Sequence, residues 1–145
     1  MNVNKGMDKD KVTPPWTYTL QLPHDPRAPG IARAALRLIL AAHGRTELAE
    51  PAELLASELL TNAHAHTTGT YALRLAPGIL DPHHVRVSVW DTDATMPPPF
   101  GPVAGAGDEG GRGLYLVRAY AEACGAYAMP VGGGGKVVWA ECGGR

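Results

Sequence analysis

Alternation of apolar and polar residues marks out the strands of this chain. Trp16, Tyr18, Leu20 and Leu22 alternate with Thr17, Thr19 and Gln21, the period of two expected of a half-buried strand that Pro23 ends. The period then changes. Ile31, Ala34, Ala35, Leu38, Ile39 and Ala42 recur at helical spacing, with Gly44 where a C-terminal cap belongs, and Leu48, Ala52, Leu55, Ala56, Leu59 and Ala63 repeat the pattern behind Pro51. Two amphipathic helices are predicted. Tyr71, Leu73 and Leu75, then Val85, Val87 and Val89, alternate on either side of the turn formers Pro77-Gly78 and Asp81-Pro82, which predicts a hairpin. From Thr92 to Gly111 proline and glycine accumulate without an apolar period, so a loop is expected there. Leu114, Val117, Ala121 and Cys124 predict a third helix closed by Gly125. Two last strands, Ala126 to Met129 and Lys136 to Cys142, are joined around Gly132 to Gly135. Paired strands interrupted by helices predict an α+β fold, a two-layer sandwich whose mixed, mainly antiparallel sheet carries its helices on one face. Residues 1–15 are polar and charged, without periodicity, and are expected to be a flexible tail ahead of a single domain, 16–145.

Composition narrows the function. The chain has 145 residues, with 13 Lys and Arg against 14 Asp and Glu. A net charge of -1 lacks the basic excess that drives binding to a phosphate backbone, so no nucleic-acid partner is expected. The 2 cysteines, Cys124 and Cys142, lack the C-x-x-C spacing of zinc or redox sites. No apolar run approaches the ~18 residues of a membrane span, so a cytoplasmic protein without membrane contact is expected.

Glu58 and Asn62 stand one helical turn apart, which puts their Cβ atoms roughly 5–6 Å from each other beside the apolar stripe of the second helix. A carboxylate and an amide oxygen there can address one ligand, as hard donors to Mg²⁺ or as positioners of a nucleophile. Alternatively, they are ordinary surface residues. Asp91 closes a run of valines, where it can accept an N–H from a ligand or simply start a turn. Gly110, Gly111 and Gly113, with Arg112 among them, lead into the third helix, whose free N–H groups can hold phosphates or merely give a flexible entry. The string Gly105 to Gly110 fits G-x-G-x-x-G but follows a proline run instead of a strand, and Gly135-Lys136 lacks the Ser or Thr of a P-loop. Neither is a nucleotide fingerprint of those types. His64 and His66 point about 200° apart and cannot chelate one ion. His83 and His84 are expected to be exposed in a turn.

Four segments in fixed order carry a family resemblance: Glu58-Leu59-Leu60-Thr61-Asn62-Ala63-His64-Ala65-His66, Val89-Trp90-Asp91, Gly111-Arg112-Gly113-Leu114-Tyr115-Leu116-Val117, and Gly135-Lys136-Val137-Val138-Trp139-Ala140. They resemble the N, G1, G2 and final-strand boxes of the GHKL ATP-binding superfamily (the HATPase_c_2, Bergerat-fold proteins), and most closely its short branch of anti-sigma-factor serine kinases of the RsbW and SpoIIAB type with their actinobacterial relatives. The resemblance implies ATP and Mg²⁺ as ligands. It implies Asn62 on the metal, Glu58 as catalytic base toward a protein serine, and Asp91 on the adenine amine. Gly111 and Gly113 would meet the phosphates within a site that also takes in Arg112, Leu114 and His66, under a proline- and glycine-rich lid. Implied partners are a sigma factor and an anti-anti-sigma protein of STAS type, with a homodimer as the assembly.

The chain departs from that pattern at two places. Asp93 and Thr95 stand where the G1 box has glycines, so the adenine-side loop must differ in backbone shape, and Val137 stands where relatives often carry a hydroxyl. These departures keep a second expectation open: a non-catalytic module of the same fold that sequesters a protein partner. A histidine-kinase catalytic domain is the third class, and 145 residues leave no room for its dimerisation helices.

Overall fold

The computed structural model describes residues 16–79, 81–96, 117, 120–130 and 134–143. Its elements are β1 (Tyr18–Leu22), α1 (Ala28–Ala42), a 3-10 turn (Thr46–Leu48), α2 (Ala49–His66), β2 (Tyr71–Pro77), β3 (Val85–Asp91), β4 (Ala123–Ala128) and β5 (Lys136–Cys142). The strands form one sheet in the order β1-β2-β3-β5-β4, and each neighbouring pair is antiparallel. The α+β sandwich expected from the pattern is present. The parallel pairing that a mixed sheet needs is absent among the described residues.

Period-2 alternation decides which side of the sheet is buried. Leu73 and Leu75 of β2, Val85, Val87 and Val89 of β3, and Val138, Ala140 and Cys142 of β5 share one face and one core. Into it α2 inserts Ala52, Leu55, Ala56, Leu59, Leu60 and Ala63. That is the stripe read from sequence, extended by Leu60. Packed against β3 and β5, α2 ends beside the start of β2, where His64 Nδ1 lies 2.8 Å from the Tyr71 hydroxyl. This placement matters for the site.

The face of α1 differs from the expected one. Its buried residues are Ala28, Ala32, Leu36 and Leu40, whereas Ile31 and Leu38 are 61% and 71% exposed. The helix is apolar over most of its circumference, so several stripes fit the same spacing, and contact with α2 selects one rotated by roughly 100° from the one read. Another difference concerns β4. Val117 and Tyr120 are helical and the Ala121 N–H donates to the Val117 carbonyl at 2.9 Å, but Cys124 and Gly125 belong to the strand. Cys124 lies opposite Ala140 on β5, so sheet pairing overrides its helical phase.

His84 is not the exposed turn residue expected, although His83 is. Its side chain, 23% exposed, lies between Asp81 and the fully buried Glu141, with Nε2 3.6 Å from Asp81 Oδ2 and Nδ1 3.9 Å from Glu141 Oε1. Glu141 Oε2 accepts from Arg86 Nε at 2.7 Å and from the Ile79 N–H at 2.8 Å, so a charge on the outer face is paired as the turn folds over it.

At the far end of β5, the Cys142 thiol is pushed up to about 12, first by burial and then by the negative charges of Glu122 and Glu141. Its value in the unfolded chain is 9.0, so the stability tied to the protonated thiol is whole below that pH and drains as pH rises toward the folded value. Stability of a Cys142→Ala variant should therefore fall less steeply between pH ~9 and ~11 than that of the wild type, the slopes differing by up to about 1.4 kcal/mol per pH unit. Urea titrations at stepped pH measure this. Equal slopes would show that the thiol ionises as freely in the fold as outside it.

Candidate functional site

The second helix brings two of the sequence-derived residues together. Glu58 and Asn62 are both half-buried, flanking the stripe that contacts the sheet, and neither makes a hydrogen bond or ion pair with another described residue. His66, one turn further on, is exposed and close enough to Asp93 to affect its ionisation. Thus Glu58, Asn62 and His66 run along α2 toward the segment that follows β3.

The end of α2 is fixed by residues pointing the other way. His24 Nε2 lies 2.8 Å from the His64 carbonyl, which can only accept, so this nitrogen carries the proton. The two imidazoles stack with centroids 4.0 Å apart, and His64 Nδ1 lies 2.8 Å from the hydroxyl of the buried Tyr71. Thr67 adds a cap, its Oγ1 donating to the Ala63 carbonyl at 2.9 Å. His64 therefore anchors the helix, and His66 is left exposed on the side of Asp93.

Asp91 is where the structure adds most. By strand alternation it shares the core face with Val89, and it is 2% exposed. Directly opposite on β5 stands Lys136, 1% exposed, whose Nζ donates to Asp91 Oδ1 at 2.8 Å and to the Asp93 carbonyl at 2.8 Å. The Asp93 N–H donates to the same Oδ1 at 2.8 Å. Asp91 thus both starts a turn and offers a charged acceptor, the two roles that its sequence position left open. In turn, Asp93 Oδ1 accepts from the Thr95 N–H at 3.0 Å. That backbone N–H, with weaker contributions from the Thr95 hydroxyl, Lys136 and His66, holds the Asp93 carboxyl below the usual carboxylate range against the opposing effect of burial. Asp93 and Thr95 replace a glycine loop with successive side-chain-to-backbone bonds.

Val137 does not face Asp91. It pairs with Trp90 and shares the opposite face of the sheet with it, so its missing hydroxyl takes nothing from the carboxylate's side. Lys136 fills that position. Sequence reading passed over it, yet a signal was available: Asp91 keeps phase with Val85, Val87 and Val89, and Lys136 keeps phase with Val138, Ala140 and Cys142. Two opposite charges on the apolar phase of two strands have to pair.

Gly111, Arg112, Gly113 and Leu114, together with most of the proline- and glycine-rich segment before them, lie outside the described residues. A cavity of about 440 Å³ opens elsewhere, between β1 and the start of α1, lined by Leu20, Leu22, Ala28 and Ile31 among others. None of Glu58, Asn62 and Asp91 lines it. Among the described residues no group of three or more His, Cys, Asp or Glu side chains is placed to hold a metal, and no helix is long and apolar enough to cross a membrane.

An antiparallel five-stranded sheet with its helices packed on the buried face defines the class of α+β two-layer sandwiches. The family model for the histidine kinase-like ATPase domain matches residues 22–141, and the chain belongs to that family. It is an ATP-binding domain of the GHKL superfamily. A search of curated proteins found no match.

Proposed function

We propose that the chain is a cytoplasmic, ATP- and Mg²⁺-dependent protein-serine kinase of the anti-sigma type, which phosphorylates a small STAS-fold anti-anti-sigma protein and sequesters a sigma factor. The observation that carries this reading is the pair Glu58 and Asn62, half-buried on one side of α2 with no partner among the described residues, in a family whose members bind ATP. A mere ATP-holding domain does not need a carboxylate there.

The donor set suits magnesium. Mg²⁺ commonly takes one or two protein oxygens together with substrate phosphates and water, and a single amide oxygen from Asn62 meets that need without a cluster of carboxylates. When bound, the ion supplies charge neutralisation at the phosphates. In this reading Glu58 orients the partner's serine hydroxyl and accepts its proton as the oxygen bonds to the γ-phosphorus, and the bond to ADP breaks. The Asp91 carboxylate accepts from the adenine amine. Backbone N–H groups of Gly111 and Gly113 would hold the phosphates, and Arg112, Leu114 and His66 would complete the nucleotide site.

Calorimetric titration with ATP in the presence of Mg²⁺ tests the first half. The wild type should bind, and Asn62→Ala should lose about 10-fold or more in affinity, with the loss confined to titrations containing Mg²⁺. Labelled ATP with a STAS partner tests the second half, the expected product being a phosphoserine protein. A wild type that does not bind ATP removes the kinase reading.

One observation favours a second reading. Asp91 Oδ1 is already engaged by the Lys136 ammonium and the Asp93 N–H, and Asp93 and Thr95 occupy the glycine positions. A non-catalytic module that binds a protein partner through the same fold fits those facts. In that case partner capture persists with no phosphotransfer.

A further inference from the structure

A buried lysine beside the carboxylate proposed to face the base needs a reason. Lys136 sits where only glycine allows the preceding residue to go: Gly135 has φ +90°, and a Cβ there would lie 2.1 Å from the Asp91 carbonyl oxygen. Trp90 Nε1 donates to the Gly134 carbonyl at 3.1 Å, fixing the same approach from the other face. The start of β5 is thereby pressed onto the end of β3, and the lysine stem carries its ammonium beneath the carboxylate.

Chemical consequences follow from which oxygen is used. Both donors, Lys136 Nζ and the Asp93 N–H, fall on Oδ1. Among the described residues no donor falls on Oδ2, which is the oxygen left for a ligand. A carboxylate bonded to an ammonium at 2.8 Å has no proton to give, so toward a ligand it can only accept. Among the described residues, Lys136 from β5 is the charged side chain that bonds it.

We propose that Lys136 is a positioning residue for base selection, which by pairing with Asp91 Oδ1 keeps Asp91 an acceptor-only group that admits a purine with an amino group at its six position and rejects one with a carbonyl there. This rests on the reading of Asp91 as the residue facing the base. Adenine offers the amine N–H that Oδ2 accepts. Hypoxanthine places an oxygen in the same spot, setting two acceptors face to face in a dry site, an arrangement that costs a full desolvation penalty with no bond to offset it. Without the ammonium, a buried carboxylate neutralises by taking up a proton and can then donate to that oxygen. Selection would relax although the carboxyl group is still in place.

The test is competitive binding of ADP and IDP, each with Mg²⁺, to the full chain and its variants. The wild type should favour ADP by about 10- to 100-fold. Lys136→Met should bring the ratio to within a few-fold of one, and Lys136→Arg should restore it. Lys136→Gln keeps a donor without the charge, and it should also lose selection; it is read in place of Lys136→Met if the methionine variant does not fold. A folded Lys136→Met or Lys136→Gln protein that keeps the wild-type ratio overturns this inference alone. A wild type that binds neither nucleotide removes the nucleotide reading as well.

Discussion

Gly135→Ala should cost the fold about 3–5 kcal/mol and lower its melting temperature by more than ~10 °C. Two separate effects add. Alanine at φ +90° is strained by about 1–2 kcal/mol before any contact is considered. Its Cβ would then sit 2.1 Å from the Asp91 carbonyl oxygen, 3.1 Å from the Asp91 carbonyl carbon and 3.0 Å from Trp90 Nε1. Backbone cannot swing aside as a flexible side chain does, so β5 has to retreat from β3, and retreat pulls Lys136 from Asp91. Two buried charges would then lose their partner. Gly134 supplies the control, since its φ is +77° and no atom of the described residues lies within 4 Å of a Cβ there. Gly134→Ala should cost only the conformational part, about 1 kcal/mol. Chemical denaturation of the two variants side by side decides the matter. Equal losses would mean that the contact with Asp91 carries no energy and that β5 is free to shift.

Most of the fold could be read in the chain, and the reason is local. Where one face of an element is buried and the other more open, as at β2 and α2, each residue reports its own side and the period is unambiguous. The helix α1 fails that condition: with alanine, leucine and isoleucine most of the way round, spacing alone could not say that Leu36 would be buried and Leu38 exposed. Cys124 fails it too, since its phase suits a helix ending at Gly125 as well as a strand pairing with β5, and only the partner strand settles which.

For the candidate site, the relative placement of Glu58, Asn62 and His66 was legible because they lie on one helix, where spacing fixes relative direction. The Asp91 to Lys136 pair joins residues 45 apart, and no window along the chain contains both. Asp91 and Lys136 become neighbours only once β3 and β5 are known to be adjacent and in register. The face that Val137 takes depends on the same pairing. A register set one residue differently would have reversed its face and that of Lys136 together.

Glu58→Gln should separate phosphotransfer from binding more sharply than any other change to this protein. The two side chains have nearly the same shape, but the amide cannot take a proton from an attacking hydroxyl, so transfer to a protein serine should slow by about 10²- to 10⁴-fold. Affinity for ATP with Mg²⁺ should stay within about 3-fold, because in the proposed arrangement the metal is held by Asn62 and the base by Asp91. Stability should also hold, within ~0.5 kcal/mol, since Glu58 has no hydrogen bond or ion pair with a described residue that the substitution could break. Three measurements on one variant are therefore expected to disagree: the rate collapses while the binding isotherm and the melting curve stay where they were. If the rate falls only as far as affinity does, Glu58 helps to hold the nucleotide and another group takes the proton. Transfer at the wild-type rate would remove Glu58 from the reaction altogether and leave the unpartnered pair on α2 as a binding surface.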